Sequence, residues 1–301
     1  GEKVVDRGWN WAVNARQCGS AIKPVSTYAP ALDDGTINGA SVIDDYPMLL
    51  NGEVWPRNAN WRYQGLTALH TAIAQSLNTC AVRTNLAYGV SNSYDFLVDK
   101  LGFENLTYTD SQQVGNMALG GFEKGVTTEE MSAAYAAFVN EGVYTKPRTF
   151  IRVEDANGNV VLENEAQSTV AMKNTTAAII NHLLQEAALN GTGYEAQFSG
   201  MHIAGKTGST NSNKDRYFVG YTPYYSCAVW AGYEHNQRIV ASGNPCSAVF
   251  RKVMSAIHED LPDKDFFSCS GLTSVAVCAD SGMLASENCA LDVRGSRVYT
   301  A

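Results

Sequence analysis

A chain of 301 residues with 45% hydrophobic side chains can bury a large core, as one domain or two intimate ones, and its formal charge of −8 argues against a nucleic-acid surface. No apolar run reaches the ~18 residues of a membrane span, and the opening Gly1-Glu2-Lys3-Val4-Val5-Asp6 has none of the regions of a signal peptide. Seven cysteines without a Cys-x-x-Cys pair, and five histidines never three or four apart, make a metal site unexpected.

In chain order, the first patterned stretch is Cys18-Gly19-Ser20-Ala21-Ile22-Lys23-Pro24. Gly19 allows a tight turn, and Ile22, Val25, Tyr28, Ala29 and Leu32 are spaced for one buried helical face that stops at Asp33-Asp34-Gly35. A proline in the first turn, here Pro24, needs no hydrogen-bond donor. Ser20 and Lys23 then share a helical face, where an amine that has lost its proton can activate a hydroxyl. On its own the spacing is weak, because roughly one Ser-x-x-Lys is expected by chance in a chain of this length.

Residues 36–65 have few periodic apolar positions and read as a long ordered loop. Its aromatics Trp55, Trp61 and Tyr63 are candidates for a groove wall, although packing is the commoner use of such residues. Leu69, Ile73, Ala74 and Leu77 predict a helix capped by Thr67 that ends in Ser76-Leu77-Asn78-Thr79-Cys80. A second helix runs from a cap at Ser91 to Gly102, and Thr127 with Glu130 forms a capping box for a third, closed by Gly142. After Pro147 the period changes. Phe150–Asp155 and Val160–Glu163 read as a hairpin, an apolar helix runs from Thr175 to Gly191, and three strands follow at 201–208, 216–221 and 225–233. A short fourth strand at 238–242 precedes a helix around Val249, Val253 and Ile257.

These elements predict an α+β fold, an antiparallel sheet flanked by helices with a mainly helical part at about 30–146 and a sheet part at about 147–259. Residues 260–301 read as an appended extension. There Cys269, Cys278 and Cys289 fit a disulfide formed in an oxidising compartment, whereas Cys227 sits in an apolar run.

Two later clusters bear on Ser20. Lys206-Thr207-Gly208-Ser209-Thr210 leaves a strand with a cation, hydroxyls and a small glycine, a grip for a carboxylate. Ser-x-Asn occurs four times and tells little by itself; position selects Ser76 with Asn78. The order Ser-x-x-Lys, Ser-x-Asn, Lys-Thr-Gly matches the motif set of penicillin-binding proteins and serine β-lactamases.

The chain resembles the transpeptidase domain of penicillin-binding proteins, most closely the class A, bifunctional kind of Gram-positive type. The resemblance spans roughly residues 8–258 and includes Tyr63-Gln64-Gly65, Ala72–Thr79, Ala118–Gly121, Gly125–Asn140, Gly205–Asn211 and Asp215–Pro223. It implies a serine β-lactamase-like fold and a D,D-transpeptidase domain over 1–259. Ser20 is then expected as the nucleophile and Lys23 as its base. Ser76, Asn78 and Lys206 are expected to assist, while Thr207, Gly208, Ser209 and Thr210 hold the substrate and the N–H groups of Ser20 and Ser209 form an oxyanion hole. It implies no cofactor, a peptidoglycan stem peptide ending in D-Ala-D-Ala as substrate, β-lactams as inhibitors, and a site on the outer face of a bacterial membrane.

The chain also departs from that family. Members usually carry proline where Cys18 stands and often where Cys80 stands, so a disulfide between these two is expected to brace the site. Few residues precede the serine helix, so the chain is read as N-terminally truncated, lacking a glycosyltransferase module and with its sheet completed by another polypeptide. A β-lactamase, a D,D-carboxypeptidase and a non-catalytic sensor or scaffold are the rival readings. A β-lactamase needs a base for deacylation, and only Glu53 and Glu123 offer one by residue type.

Overall fold

Ser20 opens a helical run of three kinds: a 3-10 turn at Gly19–Ile22, a π segment at Pro24–Tyr28, and α1, Ala29–Asp33. The computed structural model describes residues 8–50, 52–278 and 281–287 and the backbone of Arg294–Thr300. Pro30 lacks the N–H that would close a regular turn, and the Ala29 N–H reaches back five residues to the Pro24 carbonyl. A single apolar face was expected. Instead every residue from Ala21 to Leu32 is buried, polar Ser26 and Thr27 included, because other elements pack around the run on all sides.

The expected loop at 36–65 holds four short strands, β1 (Val42–Asp45), β2 (Leu49–Leu50), β3 (Glu53–Val54) and β4 (Gly65–Ala68), with β1 antiparallel to β4 and β2 to β3. The alternation in β1 was hidden because its two inward residues are Ile43 and Asp45, and a buried carboxylate does not look like core. Thr67 lies in β4 and does not cap the next helix, α2 (Leu69–Ala74), whose N-cap is Ala68. That helix ends before Ser76. Ser76 takes a left-handed backbone (φ 59°), and Asn78 begins a new helix, α3 (Asn78–Tyr88).

The next helix, α4 (Val90–Asp95), starts from Gly89 instead of Ser91 and continues as a π turn through Phe96–Lys100. Two short helices follow, α5 (Tyr108–Ser111) and α6 (Val114–Leu119). The capping box at Thr127 and Glu130 forms as expected and starts α7 (Thr128–Val139), with Met131, Ala134, Tyr135 and Phe138 buried.

The second half follows the expected order. Strand β5 (Val143–Thr145) pairs with β8 (Ser168–Val170), and between them β6 (Arg152–Glu154) and β7 (Val160–Glu163) form the predicted hairpin, exposed throughout. Helix α8 (Asn174–Leu189) leads to β9 (Ala204–Ser209), β10 (Asp215–Tyr221) and β11 (Ser226–Gly232), an antiparallel sheet in the order β11-β10-β9. Along β10, Tyr217, Val219 and Tyr221 join the main core with α7 and α8, and Phe218 joins a second cluster with Phe250 and Met254 of α9 (Pro245–Ile257). The central strand is therefore buried on both faces, and Tyr217 and Phe218 are core residues as read from sequence.

No strand forms at 238–242. Val240 is 90% exposed, and without a face to bury the segment has nothing to hold it to the sheet. The extension is more ordered than expected: β12 (Thr273–Cys278) pairs with β13 (Arg294–Thr300), and Phe266, Phe267 and Leu272 pack on the main core.

Cys18 and Cys80 are separate buried thiols, so the expected disulfide does not form. Cys18 shares its surroundings with Tyr135, Tyr217 and Asp215, and Cys80 with Lys23, Asp45 and Arg83. Burial pushes the Cys80 thiol up to about 12 and the Cys18 thiol higher still. Cys269 is a free thiol, and any pairing through Cys289 lies outside the described residues.

Candidate active site

Three glycines let separate segments close on Ser20. Gly19 has φ 56°, and a Cβ there would stand 2.4 Å from the Ser209 carbonyl oxygen; one on Gly120 (φ 73°) would meet the Gly19 oxygen at 2.2 Å, and one on Gly208 the Cys18 oxygen at 2.0 Å. No side chain fits at any of them. The turn at 18–20 is thereby sandwiched between the end of α6 and strand β9. The Gly19 N–H donates to the Gly120 carbonyl (3.3 Å), and the Tyr135 hydroxyl donates to the Ala21 carbonyl (2.5 Å).

In a 3-10 turn residues i and i+3 eclipse, which stacks Ser20 and Lys23 more directly than an α-helix would. Ser20 is half-buried; Lys23 is wholly buried. Its Nζ lies within hydrogen-bonding distance of the Asn78 Oδ1 (2.8 Å), the Ser76 carbonyl (2.8 Å), the Ser76 Oγ (3.3 Å) and the Leu77 carbonyl (3.4 Å). All four acceptors are neutral. Among the described residues no carboxylate pairs with this amine, and burial first, then the positive charge of Lys206, hold its pKa well below 10.5. Lys206 on β9 is also wholly buried, and burial lowers its pKa to about 7. Two unpaired buried lysines in one site are costly to stability and otherwise rare.

The Ser76-Leu77-Asn78 corner is held from behind. The Asn78 side chain donates to the Arg57 carbonyl (2.7 Å), and its N–H donates to the Asn58 Oδ1 (2.8 Å). Asn58 Nδ2 donates to the buried Asp45 carboxylate (2.7 Å), which also accepts from Thr79 Oγ1 and from the Gln64 N–H (2.9 Å). Sequence reasoning missed Asp45 and Asn58. A doubled Asp within an otherwise apolar alternation at 42–45 was the only signal.

On the strand side, Thr207 Oγ1 bonds Thr192 Oγ1 (2.7 Å), another residue not foreseen, and Lys206 Nζ donates to the Thr207 carbonyl (3.3 Å) and to Thr192 Oγ1 (3.5 Å). Gly208 is buried, while Ser209 is exposed and its Oγ accepts from Arg216 (3.0 Å). Thr210 is occupied elsewhere: its Oγ1 accepts the Asp215 N–H (2.9 Å) and stabilises the turn into β10. Thus Lys23, Ser76 and Asn78 meet directly, the backbone of Gly208 and Ser209 packs on the turn that carries Ser20, Lys206 and Thr207 flank that seam on β9, and Thr210 lies at the turn.

Trp55 packs beside Gly115, and Trp61 is exposed with the Arg57 guanidinium over its ring (4.8 Å). Tyr63 is half-buried. Neither Glu53 nor Glu123 hydrogen-bonds to a site residue. Glu53 is exposed on β3, and Glu123 accepts from Thr107 (2.7 Å).

A family model described as the penicillin-binding protein transpeptidase domain matches residues 9–255. The chain belongs to that family. It is 35% identical over 300 residues to penicillin-binding protein 1A of Clostridium perfringens, an alignment covering 94% of this chain and 36% of that protein. The chain thus spans about a third of the length of that relative. Solved structures with the same fold include penicillin-binding protein 1A from Haemophilus influenzae (TM-score 0.81, 22% identity, 97% of this chain and 49% of that one). Another is the PonA1 protein from Mycobacterium tuberculosis in complex with penicillin V (TM-score 0.74, 23% identity, 88% of this chain and 75% of that one). The α+β architecture of the penicillin-binding transpeptidase domain accords with the expectation from sequence.

Proposed function

We propose that the chain is a D,D-transpeptidase that cross-links peptidoglycan stem peptides through an acyl-enzyme on Ser20 and is blocked there by β-lactams. The observation that carries this reading is the wholly buried Lys23 amine, surrounded by neutral oxygens and one turn from Ser20. An amine kept neutral by burial can accept the Ser20 proton as the oxygen attacks the carbonyl between the two D-alanines. The Ser20 and Ser209 N–H groups stabilise the resulting oxyanion. Lys23 returns the proton through Ser76 Oγ to the departing D-alanine nitrogen, and the acyl group remains on Ser20. An amine of a second stem peptide then attacks the ester, forming the cross-link and giving its proton back to the site. Lys206, Thr207, Gly208 and Ser209 hold the terminal carboxylate, with Thr210 at the end of that strand.

Among the described residues no carboxylate hydrogen-bonds to Ser20, Lys23, Ser76 or Lys206, which favours a long-lived penicilloyl adduct over β-lactamase turnover. No helix among the described residues is long and apolar enough to cross a membrane. We place the domain on the outer face of the bacterial membrane, where its substrate lies, with 260–301 as an extension. The test is intact mass after exposure to benzylpenicillin, followed over hours. A persistent adduct on the wild type and none on Ser20→Ala supports the reading. Loss of the adduct within minutes points to a β-lactamase, and no adduct on the wild type refutes acyl transfer.

A further inference from the structure

The turn after α8 does more than connect helix to sheet. Gly191 is wedged where a Cβ would stand 2.4 Å from the Ala74 carbonyl oxygen and 2.7 Å from that of Ala187. The Thr192 N–H donates to the same Ala74 oxygen (3.1 Å), and the Gly193 N–H donates to Ala187 (3.0 Å). Ala74 lies two residues before Ser76, so this turn is clamped to the serine-asparagine corner at its base. At its tip, the Thr192 hydroxyl meets the lysine-threonine strand.

The direction of the hydrogen bonds there follows from the chemistry of the groups. Lys206 in its ammonium form can only donate, so Thr192 Oγ1 accepts from it. The Thr192 proton is then free to donate to Thr207 Oγ1, the shorter contact of the two. Thr207 Oγ1 has no other partner among the described residues, and its own proton remains for an incoming group. In this arrangement, which the ammonium form of Lys206 permits, every donor in the chain Lys206, Thr192, Thr207 points outward from the buried cation, and each bond polarises the next.

We propose that Thr192 is a positioning residue for the terminal carboxylate of the donor stem peptide, acting through Thr207, whose hydroxyl it turns to donate to that anion. This rests on the transpeptidase reading above. Without the Thr192 hydroxyl, Thr207 can spend its proton elsewhere and the outward donor is lost. The consequence is selectivity: substrates with a free carboxylate lose their advantage over neutral ones.

The experiment uses the full chain as wild type, Thr192→Val and Thr192→Ser, and follows Ser20 acylation by intact mass with benzylpenicillin and with its methyl ester. Thr192 is exposed and valine matches its shape, so the fold is retained. In Thr192→Val the preference for acid over ester falls about tenfold, the size of one lost charge-assisted hydrogen bond. Thr192→Ser, which keeps the hydroxyl, stays within about twofold of the wild-type preference. An unchanged preference in Thr192→Val, or equal losses with both reagents, overturns the inference while leaving Ser20 acylation standing. A wild type that neither reagent acylates overturns the transpeptidase reading and this inference with it.

Discussion

Replacing Lys206 with methionine tests the electrostatics of the site without reference to any substrate. Burial lowers the lysine to about 7 in the folded chain, against 10.5 when free in solution. Between those two values the unfolded chain binds the proton and the folded chain does not, so stability rises with pH across that window. For a single group of this kind the penalty is about 4 kcal/mol at pH 7 and about 2 kcal/mol at pH 9, a gain of about 2 kcal/mol over two pH units. Methionine fills similar space and carries no proton. It also removes the positive charge that helps to hold Lys23 neutral, which reduces the contribution of Lys23 in the same direction. Urea unfolding of both proteins at pH 7 and pH 9 gives the double difference, in which the titrating groups other than Lys206 and Lys23 cancel. The expected outcome is that the wild type gains at least about 2 kcal/mol more than Lys206→Met between the two pH values. Equal gains would show that Lys206 keeps its solution pKa, and the case for a lysine depressed by burial at this position would fail.

The rate of Ser20 acylation should decline on the alkaline side with a midpoint near 7, as Lys206 loses the charge that attracts a carboxylate, and Lys206→Arg should carry that decline beyond the accessible range; a wild-type rate flat to pH 9 contradicts this. Gly120→Ala should lose about 2–4 kcal/mol of stability, whereas Gly35→Ala, with φ 88° and open space around it, should lose only about 1 kcal/mol. Comparable losses in thermal or urea unfolding would mean that the packing of Gly120 against Gly19 is unimportant.

Those two glycines also show what was legible from sequence. Elements with strong local signals, such as the capping box at Thr127 and the alternating apolar strands β9 to β11, stood where periodicity put them. The turn at Ser20, the serine-asparagine corner and the lysine-threonine strand were recognisable by motif order. What failed were places where tertiary contacts override local preference. Ser76 adopts a left-handed backbone that no propensity favours, which splits one expected helix into two. The carboxylate of Asp45 faces inward because three polar partners, Asn58, the Gln64 N–H and Thr79, await it, and this hid a strand. Thr192 carried no signal at all, since its role depends on a strand fifteen residues away. The pairing of Cys18 with Cys80 was an inference from shared neighbourhood, and the two thiols lie in different surroundings.

The backbone-to-backbone contacts at Gly19, Gly120 and Gly208 limit how the sequence around Ser20 can vary. Because no larger residue fits at those seams, the packing around Ser20 cannot be reshaped by substitution there. Change is channelled to the accessible rim, to positions such as Trp61, where a new side chain leaves the packed seams untouched.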